Sequence, residues 1–133
     1  MKYLKFKLFA FVLAVGTFSS CGVDDGECSA SAYEEILGVS GPVTALVDEE
    51  IVFEVDFKLP NTCAIFNDFV ENNTFPREIA VDVKYEGCTC NAQNVTTTEE
   101  YIFSGDEAGE YELRFKTGPD TYITKLVTVT EAD

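Results

Sequence analysis

The sequence predicts an all-β protein, a sandwich of about seven short strands. Apolar and polar residues alternate with period two in several runs. The clearest is 51–59, where Ile51, Phe53, Val55, Phe57 and Leu59 face one way and Val52, Glu54, Asp56 and Lys58 the other. Turn-forming groups separate the runs: "DEE" at 48–50, "GDEAGE" at 105–110 and "GPD" at 118–120. No stretch of useful length carries the helical period.

Composition agrees with one folded domain. The chain has 133 residues, of which 46% are hydrophobic and 13% aromatic. Its formal net charge is −15, which repels phosphate backbones and excludes nucleic acid as an expected partner. There is no histidine, so the commonest general base and metal ligand is missing.

Residues 1–20 read as a signal peptide. Lys2, Lys5 and Lys7 supply the positive start, 8–15 the apolar centre, and 16–20 are mostly small. The apolar run is shorter than the ~20 residues a membrane helix needs. "FSSC" at 18–21 resembles the lipobox of bacterial lipoproteins, with Phe18 where leucine is commonest. The resemblance implies cleavage before Cys21 and a diacylglycerol on its thiol, so that the membrane becomes a partner through lipid. Asp24, Asp25 and Glu27 resemble the export signal of Bacteroidota lipoproteins, which implies a lipid-anchored place on the outer membrane, facing the cell surface or the periplasm. Residues 21–40 are then the lipidated cysteine and an acidic tether, and 41–133 the sandwich. Within the tether, 29–38 shows no clear period and is expected to form at most a helical turn.

Four cysteines remain, Cys28, Cys63, Cys88 and Cys90. An even number in an exported chain implies two disulfides. Cys88 and Cys90 are too close for an unstrained bridge, and in a strand they would point to the same side, each toward a different partner. Two pairings survive. Cys63–Cys90 with Cys28–Cys88 is preferred over Cys63–Cys88 with Cys28–Cys90. "CTC" has one intervening residue and no histidine nearby, unlike a zinc site, and redox chemistry wants C-x-x-C.

The remaining runs follow in order. Residues 42–47 read as a first strand. Residues 60–75 break the alternation, with a short strand or turn at 64–70 held by Cys63. Ile79, Val81, Val83 and Tyr85 point inward in the next run, then Tyr101 and Phe103. Tyr111, Leu113 and Phe115 follow, and Ile123, Val127 and Val129 close the domain.

"DEAGEYELRF" at 106–115 resembles the E–F corner of immunoglobulin-like domains, where a tyrosine hydroxyl bonds back to the main chain. The resemblance implies an immunoglobulin-like β-sandwich in which a buried Tyr111 bonds to the turn from Asp106 to Gly109. Leu113 stands where antibody domains have their second cysteine and the chain has no tryptophan, so the resemblance is to looser bacterial modules. "NTCAIFNDF", "VKYEGCTC", "AGEYELRF" and "YITKLVTV" together resemble small surface lipoproteins of Bacteroidota across most of 41–130. That likeness implies fold and location and no activity.

No catalytic motif is present: G-x-S-x-G, H-E-x-x-H and a glycine-rich phosphate loop are all missing. Asp48, Glu49, Glu50, Asp106 and Glu107 fall in turns, where acids are ordinarily solvated. Their meeting at one end of the sandwich would offer oxygens to calcium, but solvation is the favoured reading. No catalytic residue, metal or cofactor is therefore assigned. Phe66, Phe69, Phe75 and Tyr122 are candidates for an exposed aromatic patch, Tyr122 foremost, with packing the plainer reading for each. The expected function is a non-catalytic binding or adhesion module with a protein or glycan partner. Alternatives are an accessory subunit of an envelope complex and a protease-inhibitor-like scaffold.

Overall fold

A computed structural model describes residues 28–133. The signal segment, Cys21 and the acids at 24, 25 and 27 lie outside the described residues. Nine strands follow in order: β1 (Ser29–Glu34), β2 (Ile36–Ser40), β3 (Thr44–Leu46), β4 (Ile51–Asn61), β5 (Ala64–Glu71), β6 (Arg77–Glu86), β7 (Ala92–Phe103), β8 (Gly109–Lys116) and β9 (Tyr122–Thr130). They form a three-stranded sheet, β2-β4-β7, facing a six-stranded one. The expected all-β, two-sheet architecture is present.

The six-stranded sheet is organised around β6. Ile79 pairs with Glu71 of β5 and also with Phe115 of β8. Val81 pairs with Phe69 of β5 and also with Glu34 of β1. A strand has two edges, so β5 holds one and β8 and β1 share the other, end to end. β9 pairs antiparallel with β8, and β3 closes the sheet parallel to β9. The short β6–β8 contact, Arg77–Leu113 to Ile79–Phe115, is also parallel.

Two expectations are corrected. Among the described residues the strands number nine rather than about seven, and residues 29–40, expected as tether, hold β1 and β2, one in each sheet. The run "SASAY" shows no apolar period because its small residues bury little. It is a strand because β6 supplies main-chain partners from Ser29–Glu86 to Glu34–Val81. Ile36, immediately after, is fully buried in the core.

The core lies between the sheets. Along β4, Ile51, Phe53, Val55 and Phe57 are buried, as the alternation requires. Facing them are Ile79, Val81 and Val83 of β6, Leu113 and Phe115 of β8, and Val127 and Val129 of β9. Each such side chain contributes roughly 1.5–3 kcal/mol by leaving water. No polar or charged residue among those described is buried.

The 60–75 region proves to be a full strand with a bulge. Register shifts between Phe66 and Asp68, which leaves Asn67 as the extra residue. The shift lets Phe66 and Phe69, three apart, both point inward opposite Val83 and Val81. Phe69 then stacks edge-on between Phe66 at 5.1 Å and Tyr101 at 5.4 Å.

The preferred disulfide pairing is the one formed. Cys28–Cys88 has a Cα separation of 5.0 Å and Cys63–Cys90 of 5.5 Å, both ordinary for a bridge. Together they tie the segment between β6 and β7 to the start of β1 and to the β4–β5 turn.

Candidate functional site

The Tyr111 corner is structural. Its hydroxyl donates to the main-chain oxygen of Glu107 at 2.6 Å and accepts the Glu107 N–H at 3.3 Å. The bond thus lies within the expected turn, on Glu107 rather than on Asp106 or Gly109. The expectation of a buried Tyr111 is corrected, because the residue is only half-buried. Its ring rests on Phe75 at 4.9 Å and Phe103 at 5.4 Å. Gly105 lies beneath, where a Cβ would come within 3.0 Å of the Tyr111 ring. Gly109 has φ +154°, a conformation that L side chains rarely adopt.

The proposed aromatic patch separates into different roles. Phe66 and Phe69 pack against the core. Phe75 is part-exposed but engaged: it abuts Tyr111, and the Arg77 guanidinium sits 4.5 Å over its face. Tyr122 crosses from β9 to β6, where its hydroxyl donates to Glu78 at 2.7 Å. The acidic turns do approach each other, through Asp48 N–H to Gly105 oxygen at 2.8 Å. Glu49 instead caps its own turn, accepting the Leu46 N–H at 2.7 Å. Among the described residues no three acidic or cysteine side chains are placed to hold a metal.

Two further tyrosines donate to carboxylates across strands, Tyr85 to Glu34 and Tyr101 to Glu71. Burial, reinforced by the Glu34 bond, pushes the Tyr85 phenol up to about 12. Tyr101 is raised further, by burial first and by Glu71 next. Both bonds join residues of different strands, so they fasten the fold.

A concavity arises where β1 and β8 meet on β6. β1 runs antiparallel to β6 and its pairing ends at Glu34–Val81, while β8 runs parallel and its pairing ends at Phe115–Ile79. Ala80 lies between, with Val70 of β5 on one side and no strand partner on the other. The two chains then diverge. Glu35 leads into the opposite sheet, and Thr117 enters a turn closed by its N–H on Thr121 oxygen at 2.9 Å. Neighbouring strands that leave a common point in different directions open a crevice.

Two adjoining depressions occupy that crevice, of about 310 Å³ and about 250 Å³. Tyr33, Ala80 and Lys116 line both. Ala80 makes the floor, since its methyl group stands on an outer face otherwise occupied by Glu78 and Asp82. Tyr33 rises beside it with 63% of its surface exposed. Glu34, Glu35, Gly118 and Pro119 border the larger depression; Val70, Glu71, Asn72 and Glu78 border the smaller. Lys116 forms no ion pair among the described residues. A third and larger depression, of about 490 Å³, lies further along β1 and β6, at Ser29 to Ser31 and Lys84 to Glu86.

None of Tyr33, Ala80 and Lys116 stands out in the sequence as a site residue. The one available signal was Tyr33, a lone aromatic in a run of small and polar residues.

No family model matches this chain, and no curated protein or solved structure matches it either.

Proposed function

We propose that this protein is a non-catalytic binding module, anchored to a membrane by lipid on Cys21, that takes its ligand at the Tyr33–Ala80–Lys116 cleft. The exposure of Tyr33 beside a formed concavity is the observation that carries this reading. A tyrosine left 63% exposed gains little from folding, whereas a ligand covering it would bury a large apolar ring. We assign the scaffold to the immunoglobulin-like class in its loose sense. The Tyr111–Glu107 bond supports that assignment, while the parallel β6–β8 contact departs from wholly antiparallel sheets.

Ala80→Leu tests the cleft, because it fills the floor from the outer face without entering the core. The variant should melt like the parent and lose ligand binding; unchanged binding to every ligand would sink the cleft as the working surface. Cys21→Ser tests the anchor. Membrane retention and incorporation of a labelled fatty acid should both vanish, and persistence of either removes the lipoprotein reading.

The accessory-subunit reading has one specific support. β7 is a twelve-residue edge strand, paired only with β4. On its outer face Ile102 lies opposite Val52, both exposed, which offers an apolar contact beside free main-chain groups.

A further inference from the structure

We infer that the ligand of the cleft is a neutral saccharide, held with one sugar ring stacked on Tyr33 and its hydroxyls shared between Lys116 and the flanking carboxylates of Glu35 and Glu78. This inference rests on the binding-module reading and adds the chemical class.

A sugar ring presents two kinds of surface. Its faces carry apolar C–H groups, which pack against an aromatic ring, and its rim carries hydroxyls that both donate and accept. Tyr33 supplies the ring and the small Ala80 leaves space beside it. Hydroxyls then need both partner types close together. Lys116 is a donor only, and the carboxylate oxygens of Glu35 and Glu78 accept. Glu78 uses one oxygen on Tyr122 and keeps the other free of protein partners. Bonds from a hydroxyl to these charged groups are stronger than neutral ones.

Charge narrows the choice. The cleft borders include Glu34, Glu35, Glu71 and Glu78 against Lys116, in a chain of net charge −15, so anionic sugars are repelled. A cationic ligand is drawn by the same carboxylates and opposed only by Lys116, which lines both depressions, so oligolysine is the rival occupant. An uncharged polyhydroxylated ligand escapes the repulsion and engages the Lys116 donor together with the carboxylate acceptors, whereas a cation leaves that donor unused. The two volumes, about 310 Å³ and about 250 Å³ with shared walls, suit two consecutive rings. The larger sits at the lower end of the range of small-molecule sites, roughly 300–1,000 Å³, and the smaller falls just below it.

The test titrates the processed chain in detergent with neutral gluco-, manno-, galacto- and xylo-oligosaccharides, with oligogalacturonate and with oligolysine. Calorimetry gives affinity and amide chemical shifts give location. At least one neutral oligosaccharide should bind saturably, with shifts centred on Tyr33, Ala80 and Lys116. Tyr33→Ala should weaken it about tenfold, roughly the loss of one ring contact. Tyr33→Phe should restore binding, because stacking needs the ring and not the hydroxyl. Ala80→Leu should abolish it, with all three variants melting like the parent. If only oligolysine or oligogalacturonate binds, and Ala80→Leu removes that binding, the neutral-saccharide inference falls and the cleft remains a binding site. If neutral sugars bind with shifts elsewhere, or nothing responds to Ala80→Leu, both are overturned.

Discussion

Tyr111 is bonded twice to one residue, donating to the Glu107 oxygen at 2.6 Å and accepting the Glu107 N–H at 3.3 Å. The pair closes the turn that feeds β8, and the ring braces Phe75 and Phe103 beside it. Tyr111→Phe keeps the ring and removes both bonds, so it should cost about 1 kcal/mol. Tyr111→Ala should cost about 3 kcal/mol, the low end for a truncated aromatic because the ring is half-buried. Glu110→Ala, at an exposed neighbour, should be neutral. Urea melts of the three variants check this, and an alanine at 111 as harmless as one at 110 would deny the corner any structural role.

The two bridges span 60 and 27 residues. By loop entropy they should contribute about 4 and about 3.5 kcal/mol. Mass spectrometry of the unreduced chain should find no free thiol at 28, 63, 88 or 90. Peptide mapping should recover Cys28 with Cys88 and Cys63 with Cys90. A single alkylated thiol among these four, or the swapped pairing, contradicts the structure.

Phe69 owes its inward position to the Asn67 bulge. Phe69→Ala should therefore cost about 3 kcal/mol, the low end for a truncated aromatic because Phe69 too is only half-buried. Ile65→Ala and Val70→Thr, on the exposed side of the same strand, should stay within about 0.5 kcal/mol. Val70 borders the cleft, so its variant also reports whether that rim tolerates change without loss of fold. Equal losses at all three positions would mean that β5 does not carry the bulged register.

Alkaline pH should loosen the fold through two phenols. Tyr85 is raised from 10.0 to about 12 and Tyr101 is raised further, each by burial first and by its carboxylate partner next. A raised folded-state pKa means the neutral, hydrogen-bonded form is favoured. That contribution is complete below pH 10 and is lost as the pH climbs through the folded-state values. Phenolate absorbance from Tyr85 and Tyr101 should thus rise only with unfolding. In the Tyr85→Phe, Tyr101→Phe double variant the stability difference between neutral pH and pH 11 should shrink. An unchanged alkaline profile would count against both bonds.

Local alternation determined much of this protein before any tertiary contact is considered. In β4 the inward set Ile51, Phe53, Val55 and Phe57 is legible because period two is a property of the extended chain itself. The all-β class, the inward residues of β6, β8 and β9 and the existence of two bridges follow from equally local or compositional signals. Tertiary structure decided what depends on distant partners. "SASAY" became a strand because β6 had an edge to share, not because its side chains demanded it. Phe66 and Phe69 reached the core together only through a bulge, which a strict period of two conceals. The cleft exists because β1 and β8, some eighty residues apart in the chain, end against the same strand on either side of Ala80. Such a meeting follows from strand pairing across the sheet, and main-chain hydrogen bonds, unlike side chains, leave no mark of their partners in the sequence.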